Sequence, residues 1–208
     1  MSVDPKDDQR SVTEFFSSRA ADWDARFPDD GPAYAAAVAS LELPPGGTVL
    51  DAGCGTGRAL PALRSAVGLG GTVVGADLTP AMLAQATAQG RTEHGSLLLA
   101  DVSRLPLADI SLDAVFAAGL ISHLHHPGSA LRELARVVRS GGRLALFHPV
   151  GRAALASRQG RQLADDDLRA EPRLDALLTG SGWTMTSYED RDQRFLVLAV
   201  RKAEQTDK

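Results

Sequence analysis

The sequence predicts an α/β fold with a doubly wound, mostly parallel sheet. From residue 48 onwards, short apolar segments alternate with helical patterns, and the last two apolar segments are joined by only Arg191-Asp192-Gln193. Strands that are apolar along their whole length are typical of parallel sheets covered by helices on both faces. Because so short a link cannot form a parallel crossover, we expect the last two strands to be an antiparallel hairpin.

The elements follow one another in a regular order. Apolar residues spaced three and four apart predict a helix over residues 12–27, and an alanine-rich segment predicts a second helix over 33–42. The stripe on the first helix consists of Val12, Phe15, Phe16, Arg19, Ala20, Trp23 and Phe27, and Pro28 and Gly31 are expected to end that helix. The strands are predicted at 48–51, 72–77, 96–100, 113–118, 143–148, 183–190 and 194–201, and the helices between them at 57–67, 80–89, 128–138 and 165–179.

Length and composition fit one globular domain. The chain has 208 residues, of which 44% are hydrophobic, so it can bury a sizeable core. We expect a single domain over residues 12–202, with covering helices over 12–47. Residues 1–11 and 203–208 are predicted to be disordered because they are polar and lack periodicity.

Charge and cysteine content exclude several classes of protein. The net charge is −4 and no Lys/Arg-rich run is present, so we expect no nucleic-acid partner. No apolar run approaches the roughly 18 residues of a membrane span, and no apolar signal segment follows the N-terminus. The single cysteine, Cys54, excludes an intramolecular disulfide and is interpreted as a small residue in a tight loop. These features predict a cytoplasmic protein without a membrane span.

Residues 48–57 join an apolar strand to a glycine-rich loop. The strand carries Asp51, and Gly53, Gly55 and Gly57 follow in the pattern Gly-x-Gly-x-Gly. Arg58 stands where a dinucleotide-binding loop has a small residue, and a carboxylate at position 51 does not favour a pyrophosphate. An ammonium group, in contrast, would gain a charge-assisted hydrogen bond from that carboxylate. The loop therefore predicts a nucleotide-like cofactor with a cationic end.

Acidic residues stand at three consecutive strand ends. Asp51, Asp77 and Asp101 follow or end the first three predicted strands, where open α/β sheets bind ligands. Asp77 suits a ribose diol and Asp101 suits the exocyclic amine of an adenine, whereas each residue by itself also fits a turn or a helix cap. Together with the glycine loop, the three carboxylates indicate S-adenosylmethionine.

Five motifs in order then resemble the class I S-adenosylmethionine-dependent methyltransferases. The resemblance is to type 11, the ubiquinone/menaquinone-biosynthesis-like small-molecule group, and covers about residues 15–201. It implies a Rossmann-like sheet of seven strands with an antiparallel last strand. Ser140 stands where the family usually has proline. The motifs lie at Val49–Gly57, Gly75–Leu83, Asp101–Leu107, Ser111–Val115 and Leu131–Leu144.

The resemblance implies a role for each motif residue. S-adenosyl-L-methionine would be the methyl donor, S-adenosyl-L-homocysteine the product, and a small molecule the acceptor. Leu78 and Met82 would pack near the adenine ring, although core packing explains them equally well. The implied cofactor-binding residues are Gly53 and Gly55 at the methionine end, Asp77 at the ribose, Asp101 and Val102 at the adenine, and Ala118 beside the sulfonium.

Methyl transfer from a sulfonium demands mainly the positioning of the two reactants. A general base is needed only when the acceptor must lose a proton. His123 and His148 follow the fourth and fifth strands and are the candidate bases, ahead of His125 and His126, and packing or capping is the alternative role for each. The clustered histidines lack further ligands in the sequence, so no metal is expected.

Two segments border the expected acceptor position. The N-terminal helix is expected to cover the site, with Arg19 and Trp23 as candidate contacts to cofactor or substrate. Residues 149–164 form only a short segment where relatives of the family insert a large cap. The pocket is therefore expected to be open, or to be completed by a second subunit in a homodimer.

The acceptor atom is left open by the sequence. The residues Ala117-Ala118-Gly119-Leu120 replace the Asn/Asp-Pro-Pro-Tyr/Phe motif, which disfavours methylation of planar amino groups but leaves oxygen, carbon and other nitrogen acceptors. One alternative function is a catalytically silent cofactor-binding or interaction protein with the same fold. A second is a nicotinamide-dependent dehydrogenase, which Asp51 and Arg58 disfavour.

Overall fold

Seven strands form one mixed sheet within residues 5–26, 30–164 and 166–203, the residues that the computed structural model describes. They are β1 (Thr48–Ala52), β2 (Thr72–Asp77), β3 (Ser96–Leu99), β4 (Leu112–Ala118), β5 (Val138–His148), β6 (Trp183–Arg191) and β7 (Arg194–Arg201). The sheet order is β3-β2-β1-β4-β5-β7-β6. Neighbours among β1 to β5 are parallel, whereas β7 is antiparallel to both β5 and β6. The expected α/β fold class with a C-terminal hairpin is confirmed.

Helices cover both faces of this sheet. Successive residues of a strand point to opposite faces, so each strand places apolar side chains against the helices on both sides. Leu50 and Val115 belong to one buried cluster, which α5 and α7 complete, whereas Val49 and Phe116 belong to a second cluster with α2 and α3. Both clusters are apolar, so the strands are apolar along their length. The helices are α1 (Pro5–Ser17), α2 (Gly31–Ala39), α3 (Leu60–Val67), α4 (Pro80–Ala88), α5 (Pro127–Val137), α6 (Arg152–Arg158) and α7 (Glu171–Thr179).

Three boundaries differ from the sequence-based expectation. Strand β5 begins at Val138 instead of residue 143, because Val138 pairs with Leu112 before a bulge and pairing resumes at Arg143. Helix α7 begins at Glu171 instead of residue 165, since Pro172 occupies the first turn, where its missing N–H costs nothing. The short helix α6 was not expected.

The N-terminal segment also departs from its prediction. The prediction of disorder over residues 1–11 is wrong for residues 5–11, which form part of α1; an Arg10–Glu14 pair at 3.0 Å supports the helix. The helix predicted over 12–27 ends at Ser17, because the hydroxyl of Ser18 bonds the carbonyl of Phe15. Two 3-10 turns, Ala20–Asp22 and Asp24–Arg26, follow. Phe27, Pro28 and most of the predicted tail, 204–208, lie outside the described residues.

No helix within the described ranges combines the length and the apolar character that crossing a membrane requires.

Candidate functional site

A cavity of about 910 Å³ opens at the carboxyl ends of the parallel strands. It lies where β1 has β2 on one side and β4 on the other, the position at which open α/β sheets bind ligands. Parallel strands bring their last residues to one edge, so residues far apart in sequence meet there. All eleven sequence-predicted site residues line this cavity: Asp51, Gly53, Gly55, Asp77, Leu78, Met82, Asp101, Val102, Ala118, His123 and His148.

The carboxyl group of Asp51 is buried without a hydrogen-bond partner among the described residues. The residue is 1% exposed, and neither carboxylate oxygen accepts a hydrogen bond. Burial, with a smaller contribution from the nearby Asp77, raises the pKa of Asp51 to about 8. A buried carboxyl group without a partner is costly unless a ligand completes it. Asp51 therefore favours a ligand that brings a cation or a strong hydrogen-bond donor.

The glycine loop after Asp51 is held in a backbone conformation that favours glycine. Gly53 and Gly55 have φ of +68° and +54°. A Cβ at Gly53 would meet a side-chain atom of Leu120 at 2.9 Å, whereas a Cβ at Gly55 would meet nothing within 4 Å. Gly55 therefore leaves open space beside the cavity, which lets a ligand approach the backbone closely.

Asp77 connects the glycine loop to the end of β2. Its two carboxylate oxygens accept hydrogen bonds from Gly55 N and Thr79 N, each at 2.8 Å. Burial raises the pKa of Asp77, and the two backbone hydrogen bonds oppose that shift. A carboxylate offers about four acceptor positions, so Asp77 can hold the loop and still accept from a diol.

The third strand end supplies a pocket with apolar and acidic sides. Asp101 accepts hydrogen bonds from the backbone N–H and the hydroxyl of Ser103 at 2.8 and 2.7 Å. Val102 and Met82 are buried, and Leu78 is half-buried. The capping bonds of Asp101 match the alternative turn role, so its predicted adenine contact stays a prediction.

The cavity is also lined by part of the N-terminal segment, which we call the covering segment or cover. Phe16 and Trp23 line the cavity, and the ring of Phe16 makes edge contacts with Trp23 at 5.5 Å and with His123 at 5.0 Å. The expectation for Arg19 is wrong, because its guanidinium lies 3.8 Å from the Phe15 ring and donates to the carbonyl of that residue. Arg19 does not line the cavity.

Asp24 fastens this covering segment to the glycine loop. Its carboxylate accepts a hydrogen bond from Thr56 Oγ1 at 2.5 Å and lies 3.4 Å from the guanidinium of Arg91. Arg58 lies 4.0 Å from the same carboxylate and 3.3 Å from Asp30. The cover and the loop are thus joined by a small network of charges.

Tyr34 and Arg58 line the cavity but were not expected as site residues. The guanidinium of Arg58 lies 5.3 Å from the centre of the Tyr34 ring, and that ring packs against Phe116 and Phe147. Burial raises the pKa of Tyr34, which keeps its hydroxyl protonated. Arg58 adjoins the glycine motif and carried a signal in the sequence, whereas Tyr34 lies in an alanine-rich helix with no motif around it.

The segment between β5 and α7 forms another wall. Several residues between 155 and 169 line the cavity, including Arg158, Arg161 and Arg169. Arg152 holds the segment against β6, since its backbone N and Nε both lie 2.8 Å from the carboxylate of Asp190. The segment itself thus encloses part of the pocket that the sequence led us to expect as open. Completion of the pocket by a second subunit stays a prediction.

His148 lies at the end of β5 with its ring fixed by the backbone. Nδ1 lies 2.8 Å from Val150 O and 3.0 Å from Val150 N. In the tautomer that donates from Nδ1 to the carbonyl oxygen, Nε2 keeps the lone pair that a base requires. Burial, with Arg169 and Arg158 nearby, lowers the pKa of His148.

His123 is the more exposed of the two candidate bases and contacts the cover. Its pKa is lowered by burial and by the positive charge of Arg169.

His125 and His126 also line the cavity. Within the described ranges, no three His, Cys, Asp or Glu side chains are grouped so as to hold a metal ion. Burial raises the pKa of the Cys54 thiol, which keeps it protonated.

The comparisons with known proteins agree with this geometry. A family model described as "Methyltransferase domain" matches residues 50–146. This segment of the chain is therefore similar to type 11 methyltransferase domains. The expected resemblance to class I methyltransferases of this type is thereby confirmed. The magnesium protoporphyrin IX methyltransferase of Synechocystis, which was solved with bound S-adenosylmethionine, superposes with a TM-score of 0.70 at 21% identity over 97% of this chain and 99% of that one.

Two curated relatives show the extent of the similarity. Methyltransferase GfsG of Streptomyces halstedii is 39% identical over 119 residues, which are 55% of this chain and 42% of that protein. The ubiquinone/menaquinone biosynthesis C-methyltransferase UbiE of Burkholderia mallei is 34% identical over 113 residues, 53% of this chain and 46% of that protein. The match thus spans less than half the length of either relative.

A solved structure shows the same fold over nearly the whole chain. The 1,6-didemethyltoxoflavin-N1-methyltransferase of Burkholderia thailandensis, solved with its acceptor and S-adenosylhomocysteine, superposes with a TM-score of 0.71 at 21% identity. The match covers 98% of this chain and 92% of that one.

The residues present fit S-adenosylmethionine. The unpartnered carboxylate of Asp51 matches an ammonium group, and the open space at Gly55 admits a ligand beside the loop. Tyr34 and Met82 add an aromatic and a polarizable side chain to the lining. The individual contacts to the cofactor stay predictions.

We expect Asp51 to lose its proton when S-adenosylhomocysteine binds. Below about pH 8 the carboxyl group is protonated in the free protein, and the ligand ammonium would lower its pKa towards the ordinary value. Binding at pH 7 should therefore release about one proton. Calorimetry in phosphate and in Tris, which differ in ionisation enthalpy, measures that number.

Asp51→Asn is the matched variant for this prediction. It should abolish the proton release and weaken binding. Because a raised pKa in the folded protein lowers stability as pH rises towards 8, the same variant should also raise the melting temperature of the free protein at pH 8. Equal proton release by both proteins would contradict this role of Asp51.

Asp77→Ala should weaken S-adenosylhomocysteine binding by about 1 kcal/mol or more, the order expected for lost charge-assisted hydrogen bonds. It should also lower the melting temperature, because Gly55 N and Thr79 N lose their acceptor. Asp77→Asn keeps one acceptor oxygen, so it separates the loss of affinity from the loss of stability. Unchanged affinity in a folded Asp77→Ala protein would remove Asp77 from the cofactor site.

Proposed function

We propose that this chain transfers the methyl group of S-adenosylmethionine to a small-molecule acceptor. The observation that carries the proposal is the unpartnered carboxylate of Asp51, which lies beside the glycine loop in a large cavity. The volume of about 910 Å³ is near the upper end of the usual range for ligand sites, so it has room for a cofactor and an acceptor. The family match supports the same reaction class.

The cavity residues would divide into two groups along the ligand axis. Asp51 and the loop would bind the amino-acid end, Asp77 the ribose, and Asp101 with Val102 the adenine. Ala118 ends β4 with a small side chain, and His148 ends the neighbouring strand β5. We infer that the methyl group would lie near Ala118 and that the acceptor would lie on the His148 side.

S-adenosylmethionine supplies an electrophilic methyl group on a sulfonium. The chain's own contribution would be to align the acceptor with that group and to exclude water, a positioning effect that is worth roughly 7–11 kcal/mol in favourable cases. The cover formed by Phe16 and Trp23 suits the exclusion of water. His148, through Nε2, would accept a proton from an acceptor that must lose one.

Side-by-side titration of the purified chain with S-adenosylmethionine, S-adenosylhomocysteine and NADH tests the cofactor class. We expect micromolar binding of the first two ligands and none of NADH, because a pyrophosphate brings no cation or hydrogen-bond donor to the buried carboxyl group of Asp51. Binding of NADH alone, or of none of the three, would contradict the proposal. Tight binding of the first two without turnover on any acceptor would favour a catalytically silent protein instead.

His148→Ala should lower kcat, whereas His123→Ala should change mainly KM. His148 has a fixed ring beside the expected acceptor position, but His123 packs against the covering Phe16. Because the pKa of His148 is lowered, kcat should fall at acidic pH with a midpoint below the ordinary histidine pKa of about 6.5. This fall should be absent in His148→Ala. His94→Ala, outside the cavity, is the matched control. If neither cavity variant slows the chemical step, positioning alone accounts for catalysis.

A further inference from the structure

Charges of opposite sign predominate in different parts of the cavity lining, although Arg58 lies beside the glycine loop and Asp167 lies beside Arg169. Asp51, Asp77 and Asp101 stand at the ends of β1, β2 and β3. Three guanidinium groups line the wall formed by the segment after β5. We call Arg158, Arg161 and Arg169 the arginine cluster.

The arginine cluster lies on the same side as the two candidate bases. Arg169 lowers the pKa of both His123 and His148 by electrostatic repulsion, and Arg158 lowers that of His148. Arg169 also lines the small space beneath Ser122 and His148. The charges of Arg158 and Arg169 therefore act on the part of the cavity where we place the acceptor, and Arg161 lines the same wall.

Neutralisation of the cluster by the protein is incomplete within the described residues. Arg169 shares the carboxylate of Asp167, at 3.2 Å, with Arg152, which lies 3.7 Å from it. No carboxylate of the described residues lies within ion-pair distance of Arg158 or Arg161, and the guanidinium of Arg161 donates instead to Gln159 Oε1. At least two positive charges on this wall thus lack a countercharge from the described chain.

We propose that the arginine cluster binds an anionic acceptor, a small organic acid whose carboxylate is held by Arg158 and Arg161. A guanidinium group presents paired donors that match a carboxylate, and a charge-assisted bond of this kind is stronger than a neutral one. Arg158 and Arg161 line the cavity and are also exposed to solvent, which suits an acceptor that enters from solvent after the cofactor. The inference rests on the proposed function, because it names the substrate class of the same site.

Segregated charge also explains how one cavity could take two different ligands. A cationic ligand is favoured at the carboxylate end and disfavoured beside the arginine cluster, while the reverse holds for an organic acid. Each ligand would be directed to its own end by the sign of its charge.

The test compares acids with amides of the same shape on the protein loaded with S-adenosylhomocysteine. Calorimetry would use benzoate and benzamide, 4-hydroxybenzoate and 4-hydroxybenzamide, and hexanoate and hexanamide. We expect at least one acid to bind about tenfold or more tightly than its amide, the order of a charged hydrogen bond. The double variant Arg158→Gln and Arg161→Gln should lose that preference.

The control is Arg132→Gln with Arg173→Gln, which removes the same charge from exposed positions outside the cavity. This control should keep both the acid preference and the affinity for S-adenosylhomocysteine. The cluster variant should keep the affinity for S-adenosylhomocysteine as well, which also shows that it is folded.

Three results would overturn the proposal. In the first, no acid binds more tightly than its amide although S-adenosylhomocysteine binds. In the second, the preference survives in the cluster variant. In the third, S-adenosylhomocysteine does not bind the unmodified chain, in which case the proposed function fails and the acceptor inference fails with it. The first two results leave the proposed function intact.

Discussion

The site depends on one carboxyl group that the protein buries and does not satisfy. Asp51 is the last polar group on an otherwise apolar strand, and its two oxygens accept no hydrogen bond within the described chain. A polar group in this position costs free energy in the ligand-free protein. The free protein limits the cost by keeping the group protonated, as its raised pKa indicates. The glycine loop, which Asp77 holds through Gly55, follows this group in the chain, and we infer that ligand binding completes the carboxyl group.

The covering segment and the loop form one connected unit. Asp24 bonds Thr56 within the loop, and Asp77 bonds Gly55 from the other side. The loop therefore contacts both the cover and the sheet, so a ligand that changes the loop would act on both. This connection links the short N-terminal segment to the loop, and the segment also contacts α4.

The electrostatic character of the cavity changes along its length. Carboxyl groups come from strand ends that the topology forces together, whereas the arginine cluster comes from a single irregular segment after β5. Strand ends are fixed by the sheet, but such connecting segments vary more freely than the elements they join. The fold thus supports a division in which the sheet defines the cofactor end and the connecting segment defines the acceptor end.

The sequence by itself determined the sheet, the loop and the positions of the eleven predicted lining residues. The reason is local: apolar strands, glycine spacing and strand-end carboxylates are short-range patterns, and parallel strands necessarily bring their carboxyl ends to one edge. Only the tertiary structure decided that Tyr34 and Arg58 line the cavity together with Arg158, Arg161 and Arg169. These features depend on contacts between residues distant in sequence, such as Arg152 with Asp190, and no periodicity within a single segment encodes them. The position of Arg19 and the starts of α1 and α7 have local causes instead, in Phe15, the Arg10–Glu14 pair and Pro172.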